Sequence, residues 1–173
     1  ISQQAGCSPA QLALAWLRKS AAQGEPQAQY LLATLVENGR GTARNPEEAA
    51  ALYRKAADQG LARAQVALAV VTLAGRGVPR DDAAAYELLR RAATQGDARS
   101  DHVLGWLHRE GRAVAKDVEQ ANLHFQRAVE RGWVDAHVEL GLAHELGTGV
   151  PVDPAKAADH YRQAAQRGNA RGQ

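Results

Sequence analysis

In 173 residues the chain holds no methionine, one cysteine and one phenylalanine. A single thiol, Cys7, cannot close an intrachain disulfide, so no disulfide framework holds the fold. No apolar run approaches the ~20 residues that a membrane-crossing helix needs, which excludes a membrane span of that kind. One-signed charge is missing too. The formal net charge is +2, and arginines and lysines alternate with acids rather than forming the basic stripe of a nucleic-acid binder, so no nucleic-acid partner is expected. There is no G-x-S-x-G elbow, no G-x-x-x-x-G-K phosphate loop and no pair of cysteines. These gaps argue against an enzyme and call for no cofactor. With no methionine at its start, the chain reads as a processed one from which any signal peptide has already been removed.

What is present is 45% hydrophobic and 23% charged residues, the balance of a folded globular protein. It is ordered by a repeat. Gly24, Gly60, Gly96, Gly132 and Gly168 stand 36 residues apart, and Leu32, Leu68, Leu104 and Leu140 follow the same step. So do Gly39, Gly75, Gly111 and Gly147, and the alanine columns that begin at Ala49 and Ala56. A period of this length, kept without insertion, is the signature of stacked supersecondary units. Four full repeats run 25–60, 61–96, 97–132 and 133–168. Residues 1–24 form an arm and a half repeat, with Ala13, Trp16 and Leu17 where Ala49, Leu52 and Tyr53 would stand, and residues 169–173 begin a further one.

Each repeat encodes two helices, A and B. In the first repeat Ala28, Leu32 and Leu35 share one helical face over about 26–38, and the helix stops at Gly39-Arg40-Gly41. Helix B opens on Asn45-Pro46-Glu47-Glu48: a cap for free amides, a proline suited to the first turn, and acids that complement the positive helix end. Asp81, Asp117 and Asp153 occupy the Asn45 column. Small residues such as Ala28, Ala49 and Ala56 let helix axes approach to the short end of the usual ~8–10 Å range. The column Tyr53, Leu89, Phe125, Tyr161 then reads as core filling. The expected fold is all-α.

Repeat four reads Ala136, Leu140-Gly141, Gly147-Thr148-Gly149-Val150, Asp153, Ala157, Tyr161, Ala164-Ala165, Gly168. These linked columns resemble the Sel-one-like repeat (SLR) family, relatives of the tetratricopeptide repeat, over residues 8–168. One column departs from that pattern: Val36, Thr72, His108 and His144 stand where the family usually has an aromatic. The resemblance implies a right-handed α-α superhelix of about four and a half 36-residue repeats, with A helices lining a concave groove. It also implies an adaptor, scaffold or immunity protein of the bacterial envelope, although fold alone does not choose among these.

Under that geometry, the groove-lining residues are Tyr30, Arg63, Val66, Val70, Arg99, His102, Trp106, Arg109, Val138 and Leu142. An apolar strip of this kind on a soluble protein marks an interface. Trp106 then anchors a partner while Arg63, Arg99 and Arg109 meet its carboxylates, in keeping with the residue types of binding hot spots. The opposing reading packs Trp106 between neighbouring A helices.

The six histidines invite a metal, but the pairs His108/His144 and His124/His160 lack i, i+4 spacing, and no cysteine or acidic cluster joins them; no metal site is expected. Ala5-Gly6-Cys7 has the small residues that precede a lipidated cysteine, but Gln4 stands where such a signal wants leucine. Cys7 is therefore either a lipid anchor or a free thiol on an N-terminal arm. The resulting expectation is a non-catalytic module that binds a protein partner in its groove, an adaptor or immunity protein in the periplasm or envelope. The alternatives are a self-assembling scaffold, a β-lactam-binding type of protein, and a cytoplasmic location.

Overall fold

The computed structural model describes residues 9–168; Cys7 and the start of a further repeat at 169–173 lie outside them. The chain divides into two compact units, residues 1–81 and 82–173, a division that falls inside the repeat 61–96 between its two helices. All regular structure among the described residues is helical. The first unit holds α1 (Pro9–Ala22), α2 (Pro26–Asn38), α3 (Pro46–Asp58) and α4 (Ala62–Ala74). The second holds α5 (Asp82–Thr94), α6 (Ala98–Glu110), α7 (Val118–Glu130), α8 (Asp135–Leu146) and α9 (Pro154–Gln166).

Local signals set the helix ends. Asn45 and Asp117 accept hydrogen bonds from the backbone amides of Glu48 and Gln120, and Asp153 accepts from those of Ala155 and Lys156. Each cap satisfies donors that have no partner within the helix. The A helices end on Gly39, Gly75, Gly111 and Gly147, all left-handed with φ between 65° and 69°. Two residues on, glycine answers to packing as well: a Cβ on Gly77 would lie 2.1 Å from the carbonyl oxygen of Pro46 at the start of α3. In the same column the third repeat has Ala113, held at φ 65°, where an L-side chain is strained.

Within each unit, consecutive helices pack on one another, α1 to α4 and α5 to α9. The alanine columns are sealed: Ala56, Ala92, Ala128 and Ala164 are 0% exposed. Tyr53, Leu89 and Phe125 are buried as core. Large rings need small partners. A Cβ on Gly105 would sit 2.6 Å from the Phe125 ring, and one on Gly141 would sit 2.6 Å from that of Tyr161. These two helical glycines each cost about 1 kcal/mol of helix propensity, which the close aromatic packing offsets.

Candidate functional site

Two surfaces carry functional side chains. The first is the face of the A helices.

In the first unit, Tyr30 of α2 is half-buried and tilts against the Tyr53 ring, with centroids 5.8 Å apart. Arg63 of α4 is exposed, its guanidinium 6.0 Å from the Tyr30 centroid. Val70 is half-buried. Val66 corrects the expectation. It is 1% exposed and belongs to the core, so it lines no groove. It shares a repeat column with half-buried Tyr30, but α4 is apolar almost all round, and repeat spacing alone does not say which of its faces is covered.

In the second unit, Arg99 is exposed, and His102 sits between the rings of Phe125 and Trp133 at 5.7 and 5.9 Å. Trp106 packs against the cluster of Ala121, Phe125, Ala128, Ala136 and Leu140. Its outer face is covered by the Arg109 guanidinium, 3.7 Å from the ring centroid. Arg109 is committed elsewhere too: its Nη1 donates at 2.6 Å to Oε2 of Glu139, whose side chain is 4% exposed. It therefore has no free charge for a partner's carboxylate, and its role is to clamp α6 to α8. Val138 is half-buried and Leu142 is 39% exposed. Beside Arg109 and Glu139 lies a cleft of about 320 Å³, floored by Val118, Leu142, Ala143 and Leu146 and rimmed by Lys116 and Glu110. Leu146 is 61% exposed.

The second surface was not anticipated from the sequence. One A-helix column is buried yet polar: Gln29, Gln65, Asp101 and His137, none more than 3% exposed. In the first unit, Gln29 and Gln65 donate from Nε2 to the carbonyls of Ala21 and Ala57 on the preceding B helix, at 3.2 and 3.3 Å, and Gln59 donates to Gln29 Oε1 at 2.9 Å. In the second unit the chemistry changes. Asp101 receives Arg131 Nη1 in a short contact and meets His124 Nδ1 at 3.0 Å. The Arg131 Nη1 also donates to the Ala93 carbonyl at 3.0 Å, the station that glutamine serves in the earlier repeats. His124 stacks on His108, with centroids 5.3 Å apart, and His108 Nε2 is 3.2 Å from the Tyr86 hydroxyl.

One repeat later the same stations hold His137, His160, Arg167 and His144. His137 Nδ1 lies 3.0 Å from His160 Nδ1, and Arg167 Nη1 reaches toward His137 Nε2 at 3.5 Å. His160 stacks on His144 at 5.9 Å and 12°. Burial depresses the pKa of His137, as do His160 and Arg167 beside it; burial and His144 depress that of His160, and burial and His124 that of His108. The contacts therefore run across each repeat, from one helix to the next, rather than between the column mates His108 and His144. Among the described residues, no group of three or more His, Cys, Asp or Glu is arranged to hold a metal ion.

Each network floors a cleft. That over Asp101 is about 290 Å³ and has Arg90, Arg127 and Arg131 at its sides. That over His137, His144 and His160 is about 560 Å³ and has Glu119, Glu130, Gln126 and Gln163 in those places. No helix among the described residues is long and apolar enough to cross a membrane.

Known proteins show the same repeat. The Sel1 repeat profile matches residues 5–25, 26–61, 62–97, 98–133 and 134–169. No curated protein matches the sequence. Among solved structures, a protective antigen of uropathogenic Escherichia coli with an SLR fold is 34% identical with a TM-score of 0.85, covering 92% of this chain and 34% of its own. This chain thus spans about a third of that protein. A Sel1 repeat protein from Oxalobacter formigenes is 32% identical with a TM-score of 0.76, over 93% of this chain and 72% of its own. An immunity protein from Pseudomonas aeruginosa shares the fold at 23% identity, with a TM-score of 0.68 over 99% of this chain and 63% of its own. With its glycine caps, alanine seals and 36-residue columns matched from residue 5 to 169, the chain belongs to the Sel1 repeat family.

Proposed function

We propose that the chain is a non-catalytic binding module that holds one protein partner against the A-helix face. The observation that carries this reading is the cleft beside Arg109, with Leu142 39% and Leu146 61% exposed on its floor and charged groups at its rim. Exposed apolar side chains ringed by polar ones are the makings of a protein interface. Arg99, exposed on α6 of the same unit, supplies positive charge for acidic side chains of the partner. The finer form of the proposal is an inhibitor or immunity protein that occludes a secreted effector in the bacterial envelope. Likeness to the Pseudomonas immunity protein supports the scaffold for that role.

The test is a pull-down from native extract with the chain and its Leu142→Asp, Leu146→Asp variant side by side. A stoichiometric protein held by the first and lost by the second is expected. Equal retention by both removes this face as the site. A partner that proves to be an enzyme stoichiometrically silenced by the chain supports the inhibitor form.

A further inference from the structure

The network in repeat 133–168 has a histidine where the preceding repeat has the carboxylate of Asp101. In the preceding repeat, Asp101 lies between His124 and Arg131 and contacts both. At the next station a histidine, His137, takes the place of that carboxylate and faces His160 at 3.0 Å and Arg167 at 3.5 Å.

The Arg167 contact favours one set of hydrogen-bond roles. Arginine only donates, so the His137 Nε2 that faces it presents a lone pair. The His137 proton therefore sits on Nδ1 and donates to the His160 Nδ1 lone pair, leaving the His160 proton on Nε2. This arrangement exists only while both rings are neutral. A proton added to His160 Nδ1 sets two N–H groups head to head across 3.0 Å. A proton added to His137 Nε2 points at a guanidinium. The same tautomer directs the two Nδ1 atoms at one proton rather than at a shared metal ion.

We propose that the His137–His160 contact is a proton-operated latch: neutral, it holds α9 on α8; protonated, it loosens α8 and α9 beyond any response of α6 and α7. The charged groups around it do not take the place of the Asp101 carboxylate. From α7, Glu119 and Glu130 line the cleft; from α8, His144 stacks on His160; on α9, Asp159 favours the proton and Arg167 opposes it. Burial and the neighbouring imidazoles outweigh Asp159, since both His137 and His160 are held below the ordinary histidine pKa of 6.5. The sign follows. The unfolded chain takes up a proton near that value and the folded repeat excludes it, so stability is complete above about pH 6.5 and falls as pH drops below it.

The test is hydrogen–deuterium exchange of the whole chain, corrected for intrinsic rates, at about pH 7.5 and about pH 5, on either side of the imidazole range. The expected result is that α8 and α9 lose protection by about tenfold per pH unit below about 6.5 for each excluded proton, beyond any loss in α6 and α7. His137→Gln restores the residue of the first two repeats (Gln29 and Gln65) and should abolish that excess. His160→Leu, matching Leu52 and Leu88, should reduce it, and it keeps the test open if the first variant does not fold. Because His108 is unchanged in both, its own acid response cancels in the comparison. Equal pH response of α8–α9 and α6–α7 in the parent chain overturns the latch. So does an excess that persists undiminished in a folded variant, or a His137 ring found by nitrogen NMR to carry its proton on Nε2.

Discussion

The clefts over Asp101 and over His137 are built on the same repeat columns, and the differences between them are differences of chemistry at fixed positions. Asp101 becomes His137, Arg90 becomes Gln126, Thr94 becomes Glu130 and Arg127 becomes Gln163. The first cleft has a carboxylate floor and arginine walls; the second has imidazoles below and glutamates at the side. The sealed positions beneath are the same: Ala128 and Ala164 of the two B helices are both 0% exposed. A repeat protein can thus vary the polar lining of a cleft on a repeated alanine packing, since each repeat contacts only its neighbours.

The comparison can be broken most severely at Asp101. Asp101→Ala leaves Arg131 and His124 facing each other without an anion, and removing one partner of a buried ion pair typically costs about 3 kcal/mol or more. Because the Arg131 side chain is 35% exposed, the lower end is expected, measured by urea unfolding at neutral pH. Gly105→Ala should follow at about 2 kcal/mol, from a Cβ forced against the buried Phe125 ring. The matching Gly141→Ala should cost less, because Tyr161 is half-buried and can swing outward. Equal losses at the two glycines in the same assay would mean that burial of the ring is not what sets the cost.

His137→Asp rebuilds the earlier network in the later repeat, beside His160 and Arg167. It should flatten the fall in stability below about pH 6.5 and leave the variant more stable by about 1 kcal/mol at pH 5, read as a shift in urea midpoint. A loss of stability at both pH values would show that the cleft tolerates no buried carboxylate. The smallest effect is expected at Ala113, whose column mates Gly77 and Gly149 share its left-handed backbone. Ala113→Gly should stabilise by about 1 kcal/mol or slightly less, the strain of an L-residue there less the added entropy of the unfolded glycine.

Much of this was legible beforehand because its causes are local. An asparagine or aspartate followed by proline or glutamate starts a helix whatever surrounds it, and Gly39-Arg40-Gly41 stops one. The A-helix face was legible only in part. Arg63 and Arg99 are exposed as the columns suggested, but Val66 is core and Arg109 is held by Glu139, a residue 30 positions away. The polar column through Asp101 and His137 left a trace that could have been followed. Gln59 pairs with Gln29, Arg131 with Asp101 and Arg167 with His137 at the same 30-residue offset, so that arginine replaces glutamine in one column where the glutamine of the other is lost.

By itself, then, the sequence determined the number and limits of the helices and the small residues between them, because caps, turns and periodicity act over a few residues. Only the tertiary structure decided which polar side chains meet and which apolar residues remain uncovered. Those depend on stations brought within about 3 Å by the stacking of one helix on the next, and hydrogen-bond chemistry is decided at that distance.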